Sequence, residues 1–274
     1  MHATSACNTR GTAAMKTMND EQEILSGRKL HSVIAAAVLF LAAPLTPIGA
    51  SGVMADTQHA DDPHYTPAGF FDIHVCNWPD RELFFMPLFS TTRYAEITSI
   101  QVRFPDGSAL TNLDLEKFKV FKPQGKPEKH VFLTQMDVPD SAANGWYSAI
   151  IGLADGTQLV ARDYVVIARL PRASDMAPPD GAEPRPVPEK FTWSSVAPGS
   201  YYQVFIRDVW DDGKLIYKSK LLREPALVIP PGLLQPDGLY SWQIHARDIN
   251  EDVLLGDFNK GSMSRVATFS TSAD

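Results

Sequence analysis

The stretch Leu234-Gln-Pro-Asp-Gly-Leu-Tyr-Ser-Trp-Gln-Ile-His-Ala246 decides the fold class. Tyr240, Trp242, Ile244 and Ala246 alternate with Ser241, Gln243 and His245, a period of two that suits a strand with one buried face. Just upstream, Pro236-Asp-Gly238 is turn chemistry, because proline fixes φ and glycine accepts a positive φ. A strand entered from a tight turn and led by a tyrosine is how a β-sandwich ties one sheet to the loop before it. In such a corner the phenol packs inside and its hydroxyl bonds to backbone a few residues upstream. Tyr240 and Leu234 are therefore expected to be structural residues.

Moving outward from this strand, the C-terminal half reads as short strands separated by turns. Phe191-Thr-Trp193, Tyr201 to Arg207, Leu215-Ile-Tyr217, Ala226 to Ile229, Leu239 to Arg247 and Arg265 to Thr271 are the candidates. An edge strand near 183–188 would bring the number to seven, as in a constant-type immunoglobulin topology. Trp193 is expected to be the buried indole of the second strand. The spacing Leu234, Pro236, Tyr240, followed by apolar residues at every second position, resembles the E–F corner and strand F of fibronectin type III domains. The resemblance covers about 95 residues and implies an architecture, not a chemistry.

Prolines stand at 171, 178, 179, 184, 186 and 188. A stretch so rich in proline favours an extended, semi-rigid connection. Residues 171–177 are expected to be a linker, with a second domain over 178–274 whose first prolines sit on an edge strand.

The N-terminal half carries the same kind of pattern. Phe71-Asp-Ile-His-Val75 alternates, and Arg81 to Phe89 is apolar around Pro87, which suggests an edge or a bulge. Ile97 to Phe104 ends at the turn Pro105-Asp-Gly107, and a helical turn is expected near Leu113–Phe118. Further strands follow at Phe118 to Phe121, Val131 to Leu133, Trp146 to Ile151 and Gln158 to Leu170. An internal echo supports a tandem arrangement. Asn144-Gly-Trp-Tyr-Ser lines up with Asp237-Gly-Leu-Tyr-Ser, placing Tyr147 and Tyr240 93 residues apart. The chain is expected to be all-β, with an immunoglobulin-like sandwich over 67–170 and a fibronectin type III-like one after it.

Residues 1–55 are expected to be a signal peptide with an over-extended N-terminus. Arg28 and Lys29 precede the apolar run Val33 to Ala43, which Pro44 and Pro47 close. The run is shorter than the roughly 18–20 residues that span a bilayer, so the membrane enters only as a targeting step. Small residues at Val53 and Ala55 place cleavage before Asp56. The 219 residues then remaining hold 21 basic and 29 acidic side chains, a net charge of −8. That balance argues against nucleic acid as a partner. Cys76 becomes the one mature cysteine, so no intrachain disulfide is expected. Periplasmic or secreted localisation follows.

No catalytic motif is legible: there is no nucleophile elbow, zinc-binding His-Glu-x-x-His, phosphate loop or Cys-x-x-Cys pair. Neither an enzyme nor a cofactor is expected. His59, His64, His74 and Cys76 are the one cluster of soft ligands, and structural roles are expected for them instead of a metal. The acidic stretch Asp248 to Asp252 with Asp257 lacks the order of a calcium loop and reads as a solvated hairpin. The basic run Lys122 to Lys129 reads as a solvated loop.

Aromatics on loops carry more weight, because loops at the ends of sandwiches do the recognising. Trp210 lies in the acidic turn Asp208-Val-Trp-Asp-Asp-Gly213, where no strand pattern calls for an indole. Tyr201 and Tyr202 begin the strand beside it, and Trp78 precedes Pro79. These four are the candidate binding residues, and Trp193, Tyr240, Leu234 and Tyr147 the structural ones. The expected function is a binding module for another envelope or secreted protein, or for a glycan. Two alternatives are a carbohydrate-binding or carbohydrate-active accessory protein and a periplasmic assembly chaperone with tandem immunoglobulin-like domains.

Overall fold

The computed structural model describes residues 61–122, 125–248 and 258–273. The expected leader, His59 and most of the acidic run after Asp248 lie outside these residues.

In chain order come β1 (Tyr65–Thr66), β2 (Gly69–Asn77) and β3 (Phe84–Thr91), then a single 3-10 turn at Tyr94–Glu96. β4 (Ile97–Arg103), β5 (Ala109–Asn112), β6 (Phe118–Phe121), β7 (Lys129–Leu133), β8 (Met136–Asp137), β9 (Gly145–Leu153) and β10 (Gln158–Val165) complete the N-terminal half. The sheet β10-β9-β4-β5 faces a second sheet that contains β2-β3-β7-β6. Alternation explains what lies between them. Phe71, Ile73 and Val75 from β2 meet Ile100 and Val102 from β4 and Tyr147, Ala149 and Ile151 from β9. The Tyr147 hydroxyl donates to the Ala143 carbonyl at 3.0 Å, a tyrosine corner.

Pro87 occupies neither an edge nor a bulge. β3 is flanked on one side by β2 and on the other first by β8 and then by β7. The Pro87 carbonyl accepts from Thr134 N at 3.2 Å, in the gap between the β7 and β8 pairings. Its missing donor thus falls where the ladder is already interrupted. Near Leu113–Phe118 there is a turn, with Lys117 N donating to the Asp114 carbonyl at 3.1 Å, and no helix.

The C-terminal half continues with β11 (Ala182–Arg185), β12 (Lys190–Thr192), β13 (Tyr201–Asp208), β14 (Lys214–Lys218), β15 (Ala226–Val228), β16 (Leu239–Arg247), β17 (Lys260–Met263) and β18 (Ala267–Thr271). β12 pairs with β15, and opposite them lie β14-β13-β16-β18, with β11 parallel to β18 at the edge. This is the strand arrangement of a fibronectin type III-like sandwich. The core between its sheets holds Phe191, Trp193, Tyr202, Val204, Ile206, Leu234, Tyr240, Trp242 and Ile244. Gln235 N donates to the Tyr240 hydroxyl at 2.9 Å, completing the second tyrosine corner. The first proline-rich residues switch sheets. Ala177 bridges to Thr192 of β12, whereas Ala182 already pairs with Phe269 of β18.

One element was not legible in the sequence. β17 pairs antiparallel with the end of β16 (Arg247 with Gly261) and parallel with β2 (Gly261 with Cys76). Through it one sheet runs continuously from the first core to the second. Side chains reinforce this seam. Asn77 Nδ2 donates to the Leu170 carbonyl at 2.8 Å, and Ser262 Oγ donates to the Pro171 carbonyl at 2.6 Å. Leu170 and Ala173 bury their side chains in the second core.

Both faces of β2 are covered. Phe71, Ile73 and Val75 line the first core, while Cys76 packs with Trp78, Phe84 and Met86 on the opposite face. On that face Phe258 stacks on His74, with ring centres 3.7 Å apart, and meets His245 edge-on. His245 is buried; its Nδ1 accepts from Arg247 Nε at 3.3 Å, and Nε2 has no hydrogen-bond partner among the described residues. Burial first, and then the Arg247, His74 and Lys218 charges, push its pKa well below the ordinary histidine range. In the unfolded chain the same imidazole takes a proton near pH 6.5. As pH falls below that value the unfolded state binds more protons than the folded state, so stability is lost on acidification and is complete above it. The wild-type unfolding free energy from urea titrations should drop from pH 6.5 to 5, by up to about 1.4 kcal/mol per pH unit from this group. His245→Gln should lack that part of the slope. Equal slopes in the two proteins would remove His245 from the account.

Candidate functional site

The sequence candidates do not converge. Trp210 stands out from the β13–β14 turn with 66 % of its surface exposed. Its turn is braced by hydrogen bonds: Asp208 Oδ1 accepts from Trp210 N at 2.9 Å and from Asp211 N at 3.2 Å, and Lys214 Nζ donates to Asp211 Oδ2 at 2.8 Å. Tyr201 lies at the other end of β13, separated by a strand length of roughly 25 Å at ~3.3 Å per residue. There the Arg223 guanidinium covers the Tyr201 ring at 4.4 Å and hydrogen-bonds its hydroxyl. Trp210 and Tyr201 therefore cannot share one ligand-sized site.

Two candidates are core residues and not surface ones. Tyr202 is buried; its ring packs edge-on against Trp193 at 5.4 Å and its hydroxyl accepts from Val196 N at 2.9 Å. Trp78 is buried against Phe84 with ring centres 5.1 Å apart. Trp193, Tyr240, Leu234 and Tyr147 are all buried in the two cores.

The soft-ligand residues are dispersed among carboxylates. His64 places Nδ1 2.7 Å from Asp62 Oδ1 and Nε2 3.1 Å from Asp163 Oδ1. His74 Nε2 lies 2.7 Å from Asp72 Oδ2. Burial pushes the Cys76 thiol far above its ordinary range, which leaves it protonated and a poor ligand or nucleophile. Among the described residues no group of three or more His, Cys, Asp or Glu side chains could hold a metal ion.

A different place assembles the features of a site. Trp146 on β9 and Tyr164 on β10 are direct cross-strand partners on the outer face of their sheet. They are 49 % and 47 % exposed, with their rings edge to face at 5.3 Å. Beside them opens a recess of about 220 Å³, lined also by His64, Asp163, Asp248 and Lys260. Asp163 is fully buried at its inner wall, with Oδ2 accepting from Ile73 N at 2.8 Å. Asp248 and Lys260 are partly exposed and paired, with Nζ 3.3 Å from Oδ2.

The recess is a gap in the edge ladder of β10. Arg162 N donates to the Pro63 carbonyl at 2.7 Å, and Val166 exchanges hydrogen bonds with the Asn259 amide, both at 3.0 Å. Antiparallel alternation turns Tyr164 N–H and C=O to the same open side as those two residues. Neither Tyr164 group has a hydrogen-bond partner among the described residues. The site thus offers two aromatic rings, one free backbone donor, one free backbone acceptor and a lysine–aspartate pair.

Trp146 was missed as a site residue, although the signal was present. In the echo with Asp237-Gly-Leu-Tyr, Trp146 precedes the corner tyrosine, and period two puts it on the face opposite Tyr147. An indole on the outer face of a sheet has no core to fill.

No family model matches the chain, and no curated protein sequence matches it. Solved structures with partial likeness include the FN1–FN3 domains of chicken CNTN1, with 13% identity over 73% of this chain and a TM-score of 0.32. Dimeric latent PorU from Porphyromonas gingivalis shows 14% identity over 76% of this chain, with a TM-score of 0.24. Trypsin-activated alpha-2-macroglobulin from Escherichia coli shows 12% identity over 78%, with a TM-score of 0.24. The chain spans 66% of the first of these structures, 20% of the second and 17% of the third. The class assigned here, an all-β protein with a fibronectin type III-like C-terminal sandwich, rests on strand order and core composition.

Proposed function

We propose that the protein is an exported, non-catalytic binding module built from two β-sandwich domains that meet near residue 170, with Ala173 and Ala177 packed into the second one and not in a free linker. Its ligand is a component of the envelope or of the extracellular space. One observation carries this reading: Trp146 and Tyr164 are both exposed beside a recess where the Tyr164 N–H and C=O have no hydrogen-bond partner among the described residues. Large aromatics held rigid at a surface are the residues that dominate recognition. Asp163, by contrast, spends both carboxylate oxygens on Ile73 N and His64, which suits a structural support better than a general acid or base.

The test is capture from the native host's envelope and medium fractions, covering protein and glycan components. The bait is protein purified after expression of the full-length chain. Trp146→Ala/Tyr164→Ala should lose at least about tenfold in retention of the bound component, as expected for hot-spot aromatics. A component retained equally by wild type and double variant would contradict the reading. A second reading rests on Trp210: its exposed, braced loop would hold a protein partner. In that case Trp210→Ala, and not the double variant, abolishes capture.

A further inference from the structure

We propose that the recess beside Trp146 and Tyr164 is a binding site for one ring of a neutral saccharide. This rests on the reading of the recess as the binding site and names the class of ligand it takes.

Size comes first. At about 220 Å³ the recess falls below the roughly 300 Å³ at which pockets begin to hold drug-sized molecules, so it admits a single ring and not an extended body. Its walls then select the ring. Trp146 and Tyr164 offer large apolar faces with polar tips at the water boundary. A pyranose has an apolar face of axial C–H bonds to lay against an aromatic ring, and a rim of hydroxyls that each donate and accept.

The polar groups match such a rim. Tyr164 N–H and C=O point the same way from one residue and need an acceptor and a donor side by side. Two adjacent hydroxyls supply both. Lys260 Nζ and Asp248 Oδ2, 3.3 Å apart, present a second donor and acceptor at the same recess. That pairing also argues for neutrality, since a charged ligand would have to break an existing ion pair and leave one of its members uncompensated.

A peptide strand is the obvious rival for an open edge. It would need the rungs on either side of Tyr164, and these are occupied by the Pro63 carbonyl and the Asn259 amide. The gap is one residue long. A lone backbone amide does not fit it, because the N–H and C=O of a trans secondary amide point in opposite directions.

The experiment titrates the purified full-length-expressed protein, 15N-labelled, with defined neutral oligosaccharides of glucose, galactose, mannose and N-acetylglucosamine. It is read by amide and indole shifts and by saturation transfer to the sugar. At least one should bind, with the largest backbone shift at Tyr164 and a shift of the Trp146 indole. Trp146→Ala and Lys260→Met should each weaken it at least tenfold, and Trp210→Ala should leave it unchanged. Both altered side chains are partly exposed, so folding is retained and is checked by the unchanged remainder of the spectrum. If no sugar binds while an envelope component is still captured through Trp146 and Tyr164, the saccharide proposal falls and the binding reading stands. Sugar binding unaffected by Trp146→Ala overturns the assignment to this recess. Capture that ignores the double variant altogether overturns the reading beneath it.

Discussion

Trp242→Ala should cost about 3–5 kcal/mol of unfolding free energy, the range for removing a large aromatic from a packed core. Trp242 is fully buried at the centre of the second core, with Phe191 at 4.4 Å and Trp193 at 6.3 Å between ring centres. Neighbouring strands cannot collapse into the space an indole leaves without breaking their ladders to β13 and β18. The change also removes the Nε1 donor to the Pro178 carbonyl at 3.1 Å, the bond that holds the sheet-switching first strand to the core. Domains are commonly stable by only about 5–15 kcal/mol, so this is a large share. Urea unfolding followed by circular dichroism reads it. Trp210→Ala is the internal contrast: that indole makes no core contact, and its removal should stay within about 0.5 kcal/mol. Equal effects of the two would contradict the burial described.

The second large effect belongs to Asp163→Ala, about 1–3 kcal/mol for the buried donor it leaves unpaired. The carboxylate accepts from Ile73 N in the middle of β2 and faces His64 Nε2. Deleting it orphans a buried backbone donor and removes one of the two carboxylates that face the His64 ring. Asp163→Asn keeps an acceptor oxygen for Ile73 N while losing the charge, and should fall between wild type and alanine. An alanine variant as stable as wild type would show that the β1–β2 entry does not depend on this carboxylate.

Much of the fold was legible because tertiary structure there follows local pattern. The alternation around Tyr240 and Tyr147 fixed which face of β16 and β9 is buried, and the turn residues before each tyrosine fixed the corners. The parts that escaped are those decided by what arrives from elsewhere in the chain. Lys260-Gly-Ser-Met263 has no apolar alternation, yet it becomes β17 because β16 and β2 offer edges on both sides. Gly261 suits that position: a Cβ there would lie 2.8 Å from His245 Nε2 and from the Phe258 ring. Asp72, His74 and Cys76 alternate with core residues, and nothing local says what covers their face; Phe258 and the Trp78–Phe84 cluster do. Trp78 is buried in that same cluster, whereas Tyr202 shares the inward face of β13 with Val204 and Ile206.

The candidate site was the least legible part. Trp146 and Tyr164 are each visible in the sequence, but nothing local says that they stand opposite one another. Nor does anything local say that Pro63 and Asn259 leave the rung between them open. Pro63, Tyr164 and Asn259 are brought together by three separate strand pairings, two of which involve β17 and the short β1.

The most direct measurement is the backbone amide shift map of the 15N-labelled protein, purified after full-length expression, with the captured host component added. The account predicts the largest changes at Tyr164, Asp248 and Lys260, together with the Trp146 indole. Changes confined to residues 208–213 around Trp210, with Tyr164 unmoved, would contradict it.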